Sequence, residues 1–171
     1  MPRADLVIHS GGQTGVDRAA LDAALAAAVP IGGWCPRGRR AEDGPIPPRY
    51  PLRETSSEDY AERTAWNVRD SDATLVLTRG TPNDGTVLTV DRALALGRPL
   101  LVVDLASTTT AQDVAEWLEQ HRVAVLNVAG PRESSIPGVY GVAHAFVTKM
   151  LGCLATDQQR PVREGQIGPE S

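Results

Sequence analysis

The residues best suited to chemistry fall in four loops of this 171-residue chain, which form three groups. The first is Gly11-Gly12-Gln13-Thr14-Gly15, between a short apolar run and an alanine-rich stretch. Glycines accept positive φ and let backbone N–H groups close on an anion. A helix start behind them adds free N–H groups and a positive dipole end. The turn therefore reads as a phosphate cradle, with the Thr14 hydroxyl either capping the helix or donating to the phosphate. The alternative is a tight turn that needs glycine for its shape. Asp17 reads as a favourable charge at the positive helix end, the alternative being contact with a ligand hydroxyl or a metal ion. With no Gly-Lys-Ser/Thr and no strict Gly-x-Gly-x-x-Gly, the turn is neither a Walker A loop nor a standard dinucleotide fingerprint.

The second loop carries Arg37, Arg39, Arg40, Arg49 and Arg53 against Glu42 and Asp43, a local charge of about +3 in a chain whose net charge is −4. Such a patch focuses an anionic ligand, and Arg suits bidentate phosphate or carboxylate contacts. The alternative is a solvated loop whose charges pair among themselves. Trp34 and Tyr50 flank it, placed either to stack on a ring or to pack. The third group is Asp84-Gly85-Thr86 together with Gly130-Pro131-Arg132-Glu133-Ser134. Gly85 and Thr86 open a second helix start that could hold a further anionic or polar group. Arg132 either pairs with Glu133 or joins the anion site. No catalytic set is legible. Ser10 lies in no Gly-x-Ser-x-Gly elbow, and His9, His121 and His144 show no motif spacing. Asp17, Glu42, Asp43, Asp84 and Glu133 are the carboxylates that could converge. Cys35 and Cys153 have no paired spacing, so no zinc or redox centre is indicated.

These loops need a scaffold that gathers them. Apolar runs at Leu6–Ile8, Pro30–Trp34, Ala73–Thr78, Pro99–Asp104 and Val123–Val128 read as strands. Helical spacing predicts helices over Val16–Ala28, Ser57–Val68, Thr86–Leu96, Ala111–His121 and Val139–Leu151, with Thr110 a cap. The stretch Cys35–Arg53 between them reads as one long loop. Continuous apolar strands alternating with helices imply an α/β fold: Rossmann-like, doubly wound, with a mainly parallel sheet of five or slightly more strands and helices on both faces. Right-handed crossovers put all strand carboxyl ends on one edge, where such sheets bind ligands. The special loops follow strands and so meet at that edge. Residues 1–153 are expected to form a single ligand-binding domain and 154–171 a polar, flexible tail. The mildly acidic balance argues against a nucleic-acid partner. No apolar run approaches a membrane span, and no signal-peptide pattern opens the chain, so the expected location is cytoplasmic.

The stretches Ser10–Ala19, Gly32–Gly44, Asn67–Thr74 and Asn127–Ser134 together resemble the molybdenum cofactor carrier family, over roughly residues 5–152. That family is a branch of the Rossmann-like group that includes the LOG nucleotide phosphoribohydrolases. The resemblance implies a homo-oligomer, dimer or tetramer, that carries molybdenum cofactor (molybdopterin, a phosphorylated pterin with a dithiolene-held metal), with molybdoenzymes as recipients. It places the phosphate at Gly11–Gly15 and brings Arg37, Arg39 and Arg40 toward phosphate or molybdate oxygens. Cys35 would be a metal-side contact or a buried structural thiol. The LOG enzymes carry Pro-Gly-Gly-x-Gly-Thr-x-x-Glu. Here Asp84-Gly85-Thr86 lacks the double glycine, and Thr89 stands where the glutamate would be. That departure speaks against phosphoribohydrolase activity; on fold analogy a nucleotide, to be hydrolysed or sensed, is the alternative ligand.

Overall fold

The computed structural model describes residues 5–157. The central sheet holds β1 (Val7–His9), β2 (Ile31–Gly32), β7 (Ala73–Thr78), β8 (Leu100–Asp104) and β9 (Val125–Ala129). Between β2 and β7 lie the short strands β3 (Trp34–Cys35), β4 (Arg40–Ala41), β5 (Gly44–Pro45) and β6 (Arg53–Glu54). The helices are α1 (Val16–Ala26), α2 (Tyr60–Arg69), α3 (Asp84–Ala95), α4 (Ala111–Gln120) and α5 (Val139–Asp157). The five sheet strands run in the order β2-β1-β9-β7-β8, and every pair is parallel. Helices α1, α4 and α5 pack together over one face, and α2 with α3 over the other. All six residues of β7 are buried, as a strand covered on both faces must be. The expected α/β, Rossmann-like architecture is the one observed.

The strand order contains information that the alternation of strands and helices does not. β9 is last in the chain and central in the sheet. With β9 counted first, followed by β1, β2, β7 and β8, the sheet reads 3-2-1-4-5, the start of the doubly wound order. The chain is thus a circular rearrangement of that fold, with its first strand–helix unit moved to the carboxyl end. The reversal in strand order falls at β9 and β7, so the crevice above their carboxyl ends is the expected ligand position.

Two sequence expectations change. The stretch after Gly32 is no open loop. The chain leaves the sheet at Gly33, whose φ is 120°. The Asn67 carboxamide then fixes the Trp34 backbone, accepting from its N–H at 2.8 Å and donating to its carbonyl at 2.9 Å. β3 pairs in parallel with β6, and β4 forms an antiparallel hairpin with β5. Leu21, Cys35, Ala41, Ile46, Tyr50 and Leu52 close a small separate core beneath them. The second change is at the end of the chain. Leu154, expected in the tail, is 1% exposed within the main core, and α5 carries on to Asp157 because that apolar face is still being covered. The remainder of the expected tail lies outside the described residues. Smaller shifts follow the caps. α2 starts at Tyr60, three residues later than expected, after the Ser57 hydroxyl accepts from the Asp59 N–H. Asn83 caps α3 two residues earlier than expected. Thr110 and Asp113 form a reciprocal capping box on α4. Among the described residues no helix is long and apolar enough to cross a membrane.

Candidate functional site

A cavity of about 350 Å³ opens where the strand order reverses. Asn127 to Gly130 of β9 and its following turn form its base. The first turns of α3 supply Asn83, Gly85, Leu88 and Thr89 on one side. α2 supplies Tyr60, Arg63, Thr64 and Asn67 on another, and Gly11, Gln13 and Asp17 close it below α1, with Arg132 and Ser135 also in the lining. The lining is rich in carboxamides and hydroxyls, with two guanidinium groups and one carboxyl.

The charged pair at its wall is buried. Arg63 is 8% exposed and Asp17 6%. Their closest approach is 3.7 Å, from Arg63 Nη1 to an Asp17 carboxyl oxygen, and the same Nη1 donates to the Gly11 carbonyl at 3.1 Å. A Cβ on Gly11 would overlap Arg63 Cδ and Nη1, so the missing side chain makes room for the guanidinium. Asp17 also accepts from the Gln13 N–H at 3.3 Å. Burial pushes the Asp17 carboxyl above the ordinary carboxylate range, against the opposing pull of Arg63, the Gln13 N–H, the Ser10 hydroxyl and Arg18. Arg63 Nε is sealed from solvent with no acceptor.

The first glycine turn is therefore occupied by the protein itself. Its Thr14 N–H goes to the Gln13 side chain and the Val16 N–H to the Pro131 carbonyl. The Thr14 hydroxyl neither caps α1 nor faces the cavity: it donates to Glu42 and accepts from the Glu133 N–H. Gly15 sits against the backbone of 131–133, and Gly12 against Ile46 and Leu52. Of the site residues read from the sequence, Gly11, Gln13, Gly85, Gly130 and Arg132 line the cavity. The others are engaged elsewhere. Arg39 donates to the carbonyls of Ile46, Pro47, Tyr50 and Leu52, tying the β3–β6 segment to itself. Arg37 pairs with exposed Glu58 at 3.6 Å. Arg40 lies over the Tyr60 ring at 5.6 Å, behind the cavity wall. Thr86 bonds Asn83 within the α3 cap. Glu133 accepts from the Gly138 and Tyr140 N–H groups at the start of α5, which leaves Arg132 as an exposed cation not paired with it. Ser134 bonds Glu42 through its N–H and hydroxyl. Cys35 is a fully buried thiol of the small core.

Arg63 and Asn83 lie in no motif, inside a helix and at a cap, and Asn67 and Thr89 enter the sequence patterns only as the start of a resembling stretch and as a departure from the LOG motif, not as site residues. The signal available was burial on an amphipathic helix: Arg63 and Asn67, four residues apart, share the inward face of α2. Among the described residues no three His, Cys, Asp or Glu side chains converge as a metal site.

Comparison with known proteins agrees with the topology. The profile of the circularly permutated YpsA SLOG family matches residues 8–151. A crystal structure of a protein from Syntrophus aciditrophicus, described as a "putative molybdenum carrier protein", is similar at 40% identity and a TM-score of 0.81. The match covers 88% of this chain and 97% of that one. No curated protein matches. The profile spans most of the chain and carries in its description the circular rearrangement visible in the sheet, so the chain belongs to the circularly permutated YpsA SLOG family.

Proposed function

We propose that this protein is a carrier that binds a phosphorylated heterocyclic ligand in the cavity above β9 and β7, and that the ligand is molybdenum cofactor. The observation that carries the reading is the lining itself. Two guanidinium groups, Arg63 and Arg132, face a wall of Gln13, Asn67, Asn83 and Asn127, carboxamides suited to the donor and acceptor edges of a pterin. The open backbone of Gly85 at the start of α3 adds an anion-friendly helix end at the same crevice. The relative described as a molybdenum carrier supports the choice of cargo. Among the described residues no side chains converge as a metal ligand set, so in this reading the metal would travel on the cofactor's dithiolene. A cytoplasmic homo-oligomer that passes the cofactor to molybdoenzymes is the setting this reading implies.

The test is to purify the full chain from a host that makes the cofactor, then measure molybdenum by elemental analysis and pterin by fluorescence after oxidation. The expected result is both at comparable stoichiometry to the chain. Neither present, with no protection of added cofactor from oxidation, refutes the carrier. A nucleoside monophosphate in their place, or its turnover, supports the nucleotide reading instead.

A further inference from the structure

We infer that Arg63, not the backbone of the glycine turn, is the oxyanion receptor of this cavity, and that Asp17 couples its occupancy to the uptake of one proton. The inference rests on the reading that the cavity takes an anionic ligand, and it names the group recognised: the phosphate of a monoester.

The geometry sets up the receptor. A guanidinium has five N–H donors in a fixed fork. Nη1 of Arg63 is committed to the Gly11 carbonyl and faces Asp17. The guanidinium lies over the Tyr60 ring at 5.1 Å, but Nε has no acceptor and Nη2 has no hydrogen-bond partner among the described residues. A buried cation left with unfilled donors is costly and calls for a partner. With Nε sealed and Nη1 committed, an oxyanion in the cavity meets the guanidinium through Nη2, as a charge-assisted hydrogen bond that Nε–H would sense through the shared guanidinium. The glycine turn then has a different task from the one its composition suggests. Gly11 lacks the Cβ that would displace the guanidinium, and its carbonyl fixes the orientation. The turn cradles an arginine.

The proton follows from charge. Asp17 and an incoming dianion would share one guanidinium in a site sheltered from water, and like charges so placed favour protonating one of them. Asp17 is the group that yields. It faces Arg63 from α2 and Arg18 on its own helix, with the Gln13 N–H and the Ser10 hydroxyl as neutral donors. Arg132 stands in the cavity lining, from the turn after β9. Burial already drives the Asp17 carboxyl upward, and an anion held at Arg63 would drive it in the same direction. Loading is then favoured by protons, and release by their loss.

Sulfate is the suitable probe, because it stays dianionic from pH 5 to 8 and any proton taken up belongs to the protein. In ¹⁵N-labelled full-length protein, the Arg63 Nε–H resonance, assigned by its loss in Arg63→Lys, should shift saturably with sulfate. The apparent Kd should tighten as pH falls, by up to about tenfold per pH unit, the limit for one linked proton. The ¹³C carboxyl midpoint of Asp17 should rise when sulfate is present, a readout that needs no variant. Asp17→Asn should bind sulfate without the pH dependence. Saturable binding at Arg63 with a pH-independent Kd and an unmoved Asp17 midpoint overturns the proton coupling and leaves the cavity reading standing. No response at Arg63 at any pH, in protein with a dispersed spectrum, overturns the oxyanion assignment. The cargo is judged separately, by the co-purification measurement.

Discussion

Arg39 directs its charge at peptide rather than at ligand. Its guanidinium reaches four carbonyls of residues 46–52, from a backbone held at a φ of 53°. Arg39→Ala strands those carbonyls in a segment that has only a small core of its own. Unfolding in urea should show a loss of about 2–3 kcal/mol, the scale for charge-assisted hydrogen bonds left unmade. Sulfate affinity should be unchanged. Exposed Arg40, over the Tyr60 ring, should cost under about 1 kcal/mol when replaced by Ala. Weaker sulfate binding in Arg39→Ala, at full stability, would return Arg39 to the ligand. Gly12 is a similar case. Its φ is 78°, and an added Cβ would stand 2.8 Å from Ile46 Cδ1 and Leu52 Cδ1. Gly12→Val should therefore destabilise the fold by about 2–4 kcal/mol, combining backbone strain and overpacking; a lowered Tm checks it. At this scale the sequence shows residue types but not their targets. A run of arginines reads alike whether the acceptors are phosphates or carbonyls. Arg63 is harder still: its four-residue spacing from Asn67 puts the two on one helix face, but nothing in Tyr60-Ala61-Glu62-Arg63 announces that this face turns inward.

Elements were legible where apolar periodicity builds them and illegible where polar side chains do. β7, α1 and α4 follow from their patterns, and Thr110 from its capping chemistry. The pairs β3–β6 and β4–β5 have two residues per strand, too short for any period. They are held by specific bonds: Arg39 to carbonyls, Arg18 to Asp43 at 2.6 and 2.8 Å, Glu42 to Thr14 and Ser134. β3 is further tied to the end of α2 through Asp70, which accepts from the Trp34 indole at 2.8 Å and from Arg69 Nε at 2.7 Å. The Arg69 bond, with the Trp34 bond adding to it against partial burial, holds the Asp70 carboxyl at about 2. A carboxylate depressed in the folded state contributes stability above its unfolded titration range, and loses it as pH falls from about 4 through about 2. Because Arg69 is half exposed, solvent screening reduces the contribution to about 1 kcal/mol. Asp70→Asn should flatten the stability profile across that acid window, lowering stability by about 1 kcal/mol at neutral pH and changing little near pH 2. Denaturant midpoints measured from pH 2 to 7 check this; parallel curves for both proteins would show that Asp70 takes no part in acid sensitivity.

At the scale of the whole molecule the special loops do meet at one sheet edge, but which strand is central was hidden. Strand and helix alternate identically whether β9 opens the chain or closes it, so periodicity cannot report the rearrangement. Only pairing does: β9 lies between β1 and β7, and its Asn127 is buried at the base of the cavity. The consequence for function is that the turn after β9, with Gly130 and Arg132, occupies the place of the first strand-to-helix turn of a doubly wound fold, while the glycine turn after β1 takes the second. The consequence for folding is a prediction. α5 runs back across the sheet from the carboxyl end of β9, so it ends at the edge where the neighbouring parallel strand β1 begins, and it packs on α1 along the way. The chain's two described ends therefore lie at the same edge, the condition under which relinking is tolerated. The cut belongs between His121 and Arg122, in the turn before β9 where Arg122 has a φ of 50°. It must fall before Ala124, because the Asp72 carboxylate accepts from the N–H groups of Ala124 and Val125 at 3.0 and 2.8 Å. A permutant that starts at Arg122, passes through β9 and α5, crosses a Gly/Ser linker to β1 and ends after α4 restores the 3-2-1-4-5 sheet in chain order. It should give the same far-ultraviolet circular dichroism, unfold cooperatively in urea within about 2 kcal/mol of the natural chain, and show the same Arg63 response to sulfate. Non-cooperative unfolding, or a folded permutant in which Arg63 no longer responds, would mean that the position of β9 in the chain, and not only in the sheet, is needed to build the site.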